Sequence, residues 1–281
     1  MNYLLYNPLS KNGQNVEKIR QIEESYGGNA TKVSVLEEEK YAGILQSLKD
    51  EDEVVLVGGD GTLNHFVNRV RNKRLPCKVY FNAKGTGNDF FNDVKDKAIG
   101  DKILINDLIR NLPRVVVNGE ERLFINGVGY GIDGYCCEVG DKIVASGKEA
   151  NYTSIAIKGL LFHYKTPGAS VTVDGITKKY KKVWLAPTMK GRYYGGGMMI
   201  APKQNRDDPE GFVTSVVMFG SGKLKTLMVF PSIFKGEHVR HSEMVEIRKG
   251  KHVIVEFDRP TALQIDGETV LNVTRYEVFA G

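Results

Sequence analysis

The densest chemistry in this chain lies in Gly58-Gly59-Asp60-Gly61-Thr62-Leu63-Asn64, directly after the apolar run Glu53-Val57 and directly before the amphipathic pattern Leu63, Phe66, Val67, Val70. Glycines at the end of a buried strand let main-chain N–H groups approach phosphate, and the following helix offers its positive end. An acid among phosphates repels them unless a divalent cation lies between, and Mg²⁺ characteristically joins a carboxylate to phosphate oxygens. The pattern therefore points to a metal-nucleotide site with Asp60 turned to the metal. The competing reading is a plain glycine turn with Asp60 as helix cap. Three glycines around one acid favour the first.

Two more loops of the same kind follow strand-like runs. Asn7-Pro8-Leu9-Ser10-Lys11-Asn12-Gly13 follows Tyr3-Tyr6, and Gly85-Thr86-Gly87-Asn88-Asp89-Phe90 follows Lys78-Asn82. Each alone is explained by ordinary turn chemistry. Three such loops on strands of one sheet favour a shared ligand. Neither GxxxxGK[ST] nor a GxGxxG opening the first βα unit is present, which excludes a Walker-type ATPase.

The elements that must position these loops can be read from periodicity. In the first third, short apolar runs alternate with amphipathic segments, the signature of a parallel α/β sheet. From about Pro113 the runs take period-two character at Ala169-Asp174, Lys182-Ala186, Phe212-Phe219, Val245-Arg248, Val253-Phe257 and Ala262-Ile265, which reads as antiparallel β. Asn151-His163 and Lys223-Lys235 are long enough for helices, with Pro231 ending or kinking the second. The expected architecture is an α/β nucleotide-binding domain over residues 1–113 and an antiparallel β-sandwich domain over 114–281, with the active site in the cleft between them. The final strand, Tyr276-Phe279, fits either domain.

Composition agrees with a globular protein and narrows its class. The chain has 281 residues, 39 Lys+Arg against 34 Asp+Glu, 31 glycines and 41% apolar residues. That balance excludes a disordered tail, and the net charge of +5 is dispersed, unlike a nucleic-acid stripe. No apolar run approaches the ~18 residues of a spanning helix, and the N-terminus lacks a basic and then apolar leader, which together predict a cytoplasmic protein. Cys77, Cys136 and Cys137 read as free thiols, and the five histidines show no metal-ligand spacing.

Taken together, GGDGTLN, the NPxS start and GTGNDF resemble the diacylglycerol kinase catalytic family, which includes bacterial lipid kinases and, more distantly, sphingosine kinases. The resemblance covers nearly the whole chain, because Asn126-Gly127-Val128-Gly129-Tyr130-Gly131-Ile132-Asp133 and Leu263-Gln264-Ile265-Asp266-Gly267-Glu268 resemble later family segments. It implies ATP held by Asn7, Pro8, Leu9, Ser10 and Lys11, by Gly58, Gly59, Asp60, Gly61, Thr62, Leu63 and Asn64, and by Thr86, with Asp60 serving a catalytic Mg²⁺. Val35-Leu36-Glu37 departs from the family's nucleotide-contacting Thr, so that contact is not carried over. The family's metal-holding loop appears as the longer Ala201-Phe212, where Asp207 and Phe212 main-chain oxygens and the Glu210 carboxylate would hold a structural Mg²⁺; an acidic surface turn without metal is the alternative.

Transfer of a γ-phosphoryl group to a lipid hydroxyl also needs a carboxylate to accept the proton. Asp266 and Glu268 are the candidates. A continuing strand would put both on one face, and a hairpin turn at Gly267 would separate them. The family likeness implies an ATP- and Mg²⁺-dependent kinase acting on diacylglycerol or a related lipid, visiting the membrane surface as a peripheral protein and binding no nucleic acid. The lysines 178, 179, 181 and 182 around Tyr180, ahead of Trp184, suggest a cationic hairpin tip with an interfacial aromatic. An NAD kinase, which shares GGDGT, and a non-catalytic lipid or nucleotide sensor are the alternatives, and the sequence leaves a homodimer open.

Overall fold

The alternation in the first third folds as a sheet whose central strand is apolar and buried. The computed structural model describes residues 1–8, 16–71, 73–83 and 88–281. The chain divides into two compact units, Met1–Leu112 and Pro113–Gly281. In the first unit, β1 (Asn2–Tyr6), β2 (Ala30–Ser34), β3 (Glu53–Gly58) and β4 (Lys78–Ala83) run parallel in the order β2-β1-β3-β4, and β5 (Lys102–Leu104) pairs antiparallel with β4. Val54 to Gly58 of β3 are all buried, as a central strand covered on both faces requires. The connecting helices are α1 (Val16–Ser25), α2 (Glu38–Ser47) and α3 (Asp60–Val70), and α4 (Asp89–Val94) follows β4. On α3, Leu63, Phe66, Val67 and Val70 form the buried stripe that the helical period foretells.

The second unit carries β6 (Arg114–Val117), β7 (Glu120–Leu123), β8 (Gly127–Tyr130), α5 (Ile132–Ala145), α6 (Tyr152–Lys158), β9 (Ala169–Val173), β10 (Ile176–Tyr180), β11 (Thr188–Met189), β12 (Val213–Met218), α7 (Lys223–Val229), β13 (Val245–Gly250), β14 (His252–Ile265) and β15 (Glu268–Phe279). Its strands pair antiparallel along the path β13-β12-β11-β8-β14-β15-β6-β7, with β9 beside β14 and β10. The fold is thus a parallel α/β unit followed by an antiparallel β-sandwich-like unit. The last strand belongs to the second unit, where β15 lies between β14 and β6. Its core includes Tyr130 stacked on Phe257 at 3.8 Å between centroids, and Tyr276, whose hydroxyl donates to the Ala186 carbonyl at 2.7 Å.

Four local readings need correction or addition. Lys182-Ala186 is not a strand; Leu185 makes only isolated bridges to Gly131 and Met218. Helix α5 is an addition: Ile132, Tyr135, Cys136, Val139 and Ile143 recur at helical spacing, and its first turn, Ile132-Asp133-Gly134, is buried whatever its polarity. α6 runs on as a π-helical turn, Gly159–His163, and α7 gives way at Phe230, just before Pro231, to the 3-10 segment Phe230–Lys235. The lysine-rich run is not a hairpin tip: the β9-β10 turn is Asp174-Gly175, with φ of 48° and 81°. Tyr180 and Trp184 are buried at 6% and 2% exposure, so neither can meet a membrane. No helix among the described residues is long and apolar enough to cross a bilayer.

Candidate active site

Strand register brings the loop residues of the first unit to one level. Tyr6 pairs with Val57, and Gly58 with Ala83, so the chain leaves β1, β3 and β4 side by side at their carboxyl ends. Asn7 and Pro8 therefore flank the Gly58–Asn64 turn. Leu9, Ser10, Lys11 and Thr86 lie outside the described residues. Gly58 is demanded by packing, since a Cβ there would stand 2.3 Å from the Thr62 hydroxyl oxygen. Gly61 is exposed, and a Cβ on it would meet nothing within 4 Å. The fold does not require glycine at that position, and its main chain is open to an approaching group.

α3 starts at Asp60, whose acid stands in the first turn where a negative charge is favoured. The Asp60 carboxylate accepts the Asp89 N–H at 2.8 Å and, more weakly, the Phe90 N–H at 3.4 Å. It thereby ties the GGDGT turn to the start of α4. Asp60 does not cap its own helix, whose N-cap is Gly59 without a side-chain hydrogen bond; it takes the first N–H groups of α4 instead, and such contacts are compatible with a metal because two carboxylate oxygens offer about four lone-pair sites. Thr62 and Asn64 are buried at 4% and 5%, and the Asn68 amide donates to the Asn64 main-chain and side-chain oxygens at 3.0 and 3.1 Å, which braces the helix from within. The first turn of α3 together with an acid suits a metal-bound phosphate chain.

In the second unit, Asp266 and Gly267 form the two-residue turn between β14 and β15, with φ of 48° and 96° and Ile265 paired to Glu268. Positive φ at both positions is the type I′ geometry that Asp-Gly favours. The turn separates the two carboxylates. Asp266 accepts main-chain N–H groups from Ile125 at 2.6 Å, Asn126 at 2.9 Å and Gly127 at 3.0 Å. Glu268 is exposed and meets Arg122 at 3.3 Å. The segment that cradles Asp266 is itself held by Arg206, buried at 8%, whose guanidinium donates to the Ile125 carbonyl and, at 3.0 Å, to the Asn126 side-chain oxygen. The neighbouring Lys190 is buried at 4%, and burial followed by the Arg206 charge pushes its pKa down. Nothing in the local sequence marks Arg206 or Lys190 as buried cations.

The glycines of residues 126–134 let α5 press against the sheet. A Cβ on Gly134 would fall 1.9 Å from the Ala262 carbonyl, and one on Gly129 would fall 2.2 Å from the Asp133 carboxylate. Asp133 is almost fully buried, and neither carboxylate oxygen has a well-formed hydrogen bond among the described residues, although the Tyr194 hydroxyl lies close enough to act on it. Burial raises its pKa to about 6. This acid was visible in the motif, yet only the packing shows that it is buried, with its own and the Gly134 N–H and the Tyr194 hydroxyl offsetting that burial only in part. Cys136 and Cys137 are free and pushed up to about 12 by burial, which makes them poor nucleophiles.

The 201–212 loop does not fit a structural cation as arranged here. Glu210 pairs with the Lys251 ammonium at 3.0 Å, and the Phe212 carbonyl accepts the Gln204 amide at 2.8 Å. An ammonium therefore stands beside the carboxylate that a divalent ion would use. Among the described residues no three His, Cys, Asp or Glu side chains converge as a metal cluster.

The chain thus joins a parallel sheet with an acid-bearing glycine turn to an antiparallel sandwich whose terminal hairpin carries two carboxylates. Residues 2–116 match the diacylglycerol kinase catalytic domain, and residues 126–278 match the YegS C-terminal NAD kinase beta sandwich-like domain. The second match spans more than half of the chain, which therefore belongs to the family of the YegS C-terminal domain, and residues 2–116 carry a diacylglycerol kinase catalytic domain ahead of it. A diacylglycerol kinase of Mycobacterium tuberculosis is 26% identical over 215 residues, covering 74% of this chain and 68% of that protein. Among solved structures, a protein provisionally named a diacylglycerol kinase from Bacillus anthracis superposes with a TM-score of 0.70 at 19% identity, covering 99% of this chain and 91% of that one. A further structure of a diacylglycerol kinase from the same organism gives 0.64 at 17% identity, covering 100% and 94%.

Proposed function

We propose that this chain is an ATP- and Mg²⁺-dependent lipid kinase that transfers the γ-phosphoryl group of ATP to the hydroxyl of diacylglycerol or a similar amphiphile. The observation that carries this is the in-register end of three strands at Asn7, Gly58 and Ala83, with Asp60 at the head of α3. The first-turn N–H groups of α3 and the open main chain at Gly61 would bind the phosphates. Asp60 would hold Mg²⁺ against them, and the ion would neutralise charge building on the transferred group. The acceptor hydroxyl oxygen forms the new P–O bond while the bond from the γ-phosphorus to its bridging oxygen breaks and ADP leaves. The hydroxyl proton passes to a carboxylate of the terminal hairpin, Asp266 or Glu268.

The family relatives support the kinase class, and the acceptor rests on their names. Incubation with labelled ATP, Mg²⁺ and a panel of diacylglycerol, ceramide, sphingosine, undecaprenol and NAD tests it. Labelled phosphatidic acid or another phospholipid is the expected product. Label in NADP alone would transfer the assignment to NAD phosphorylation, and label in no acceptor would overturn the kinase reading.

A further inference from the structure

Two segments of the second unit, residues 152–165 and 222–241, bury one side and leave large apolar side chains in solvent on the other. Leu160, Val229, Phe230 and Ile233 enter one buried cluster. By contrast, Phe162 is 71% exposed, Leu224 74%, Met228 75% and Phe234 43%. Leu224 and Met228 stand four residues apart on α7 and so share a face. The Lys223 ammonium donates to the Leu161 carbonyl at 2.8 Å, which sets the first turn of α7 beside Phe162. Single exposed apolar residues need no explanation, but a clustered set on adjoining segments does.

Charge indicates what covers it. These segments hold Lys158, Lys165, Lys223, Lys225, Lys235 and Arg240 against one carboxylate, Glu237. Glu237 lies 4.0 Å from Arg240, and Lys225 pairs with Glu243 just beyond the segment. Lys158, Lys165 and Lys235 are exposed and have no ion pair among the described residues. A second copy of the chain would bring like charges together, and the cores of protein interfaces are depleted in lysine. Apolar knobs ringed by lysines match the anionic surface of a bilayer.

We propose that this face docks the protein on anionic membranes, with Phe162, Leu224 and Met228 entering the boundary between headgroups and acyl chains and the lysines meeting lipid phosphates. Its biological purpose rests on the lipid-kinase reading; the binding itself does not. The site replaces the Lys178–Lys182 run, where Lys178 is paired with Glu246 at 2.6 Å.

The test is co-sedimentation of the full chain with vesicles of phosphatidylcholine alone and of phosphatidylcholine with one-third phosphatidylglycerol, at low and high salt. Wild type should bind the anionic vesicles and be released by salt. Lys158→Gln/Lys165→Gln/Lys235→Gln should weaken binding by about five-fold per lysine, and Phe162→Ser/Met228→Ser by about ten-fold or more, both keeping the wild-type circular dichroism. In Phe162→Trp, brominated acyl chains should quench the new indole while buried Trp184 stays unquenched. Wild-type binding by both variants, or absence of wild-type binding to anionic vesicles, overturns the proposal. So does a dimer in sedimentation velocity that Phe162→Ser/Met228→Ser converts to monomer. Both variants should turn over a water-soluble short-chain diacylglycerol like wild type and bilayer-borne diacylglycerol more slowly. Vesicle binding as described, with no lipid phosphorylated, would sink the kinase reading and leave the docking face standing.

Discussion

The Asp266 carboxylate and the main-chain N–H of Asn126, 140 residues apart in sequence, meet at 2.9 Å. With the Ile125 and Gly127 amides, this contact fastens the β14-β15 turn to the start of β8, and Arg206 fastens that same segment from the 201–212 loop. The terminal motif is thus held from two directions, and its two acids stand in opposite situations. One is anchored by main chain; the other reaches solvent beside Arg122.

Stability and turnover should therefore separate these acids. Asp266→Ala leaves three N–H donors without their acceptor and should cost about 2–3 kcal/mol in denaturant unfolding, whereas Glu268→Gln should stay within about 0.5 kcal/mol of wild type. Whichever residue accepts the proton should lose about 10²- to 10⁴-fold in kcat as its amide variant. If Asp266→Asn and Glu268→Gln both keep wild-type kcat, the hairpin holds no proton acceptor.

Much of this was legible in the sequence, for physical reasons. The βαβ alternation and GGDGTLN announce themselves because strand period, helix period and glycine placement all agree there. The Asp266-Gly267 turn was one of two readings, and positive φ at both residues selects it. Other features were hidden because long-range packing decides them. Arg206 is a charged residue in a polar loop, and its burial is explained by the distant Ile125 carbonyl and Asn126 side chain that it meets. Tyr180 and Trp184 looked interfacial beside lysines, yet Trp184 is inward and its indole N–H donates to the Ser221 carbonyl at 3.1 Å.

Gly58 and Gly61, both in the turn that carries Asp60, should respond differently to alanine. Gly58→Ala forces a methyl group against Thr62 and should lower the melting temperature by several degrees, at about 1–3 kcal/mol. Gly61→Ala meets no protein atom and should melt within a degree or two of wild type, while its KM for ATP rises several-fold because the main chain is no longer open. Equal KM in wild type and Gly61→Ala would remove the phosphates from that turn.

If Lys251 already neutralises Glu210, the 201–212 loop needs no divalent ion. Wild type should then melt at the same temperature in Mg²⁺ and in chelator. Lys251→Met should lower the melting temperature only slightly, since an exposed pair contributes little, roughly 0–1 kcal/mol. A Mg²⁺-dependent rise in wild-type melting that Glu210→Ala abolishes would show that an ion displaces the lysine, by ordinary binding linkage.

Asp133 supplies a pH-dependent test. Its folded pKa of about 6 stands above the ordinary 3.8 because burial penalises the anion. Below the unfolded pKa the group is protonated in both states and costs nothing. As pH rises toward the folded pKa, the unfolded chain ionises more readily, so stability is lost across that window, by about 3 kcal/mol at most. Asp133→Asn removes the charge, so its advantage over wild type should grow from near zero at acidic pH to about 2–3 kcal/mol above neutrality. Urea unfolding of both proteins between pH 4 and 7.5 reads this directly, with the shared contribution of the other carboxylates cancelling in the difference. An acid kept at such a cost belongs with groups retained for function, so the stabilised variant should also lose kcat/KM. A stability difference that stays constant over that range would mean that Asp133 is compensated in solution, and a variant both more stable and fully active would remove it from the reaction.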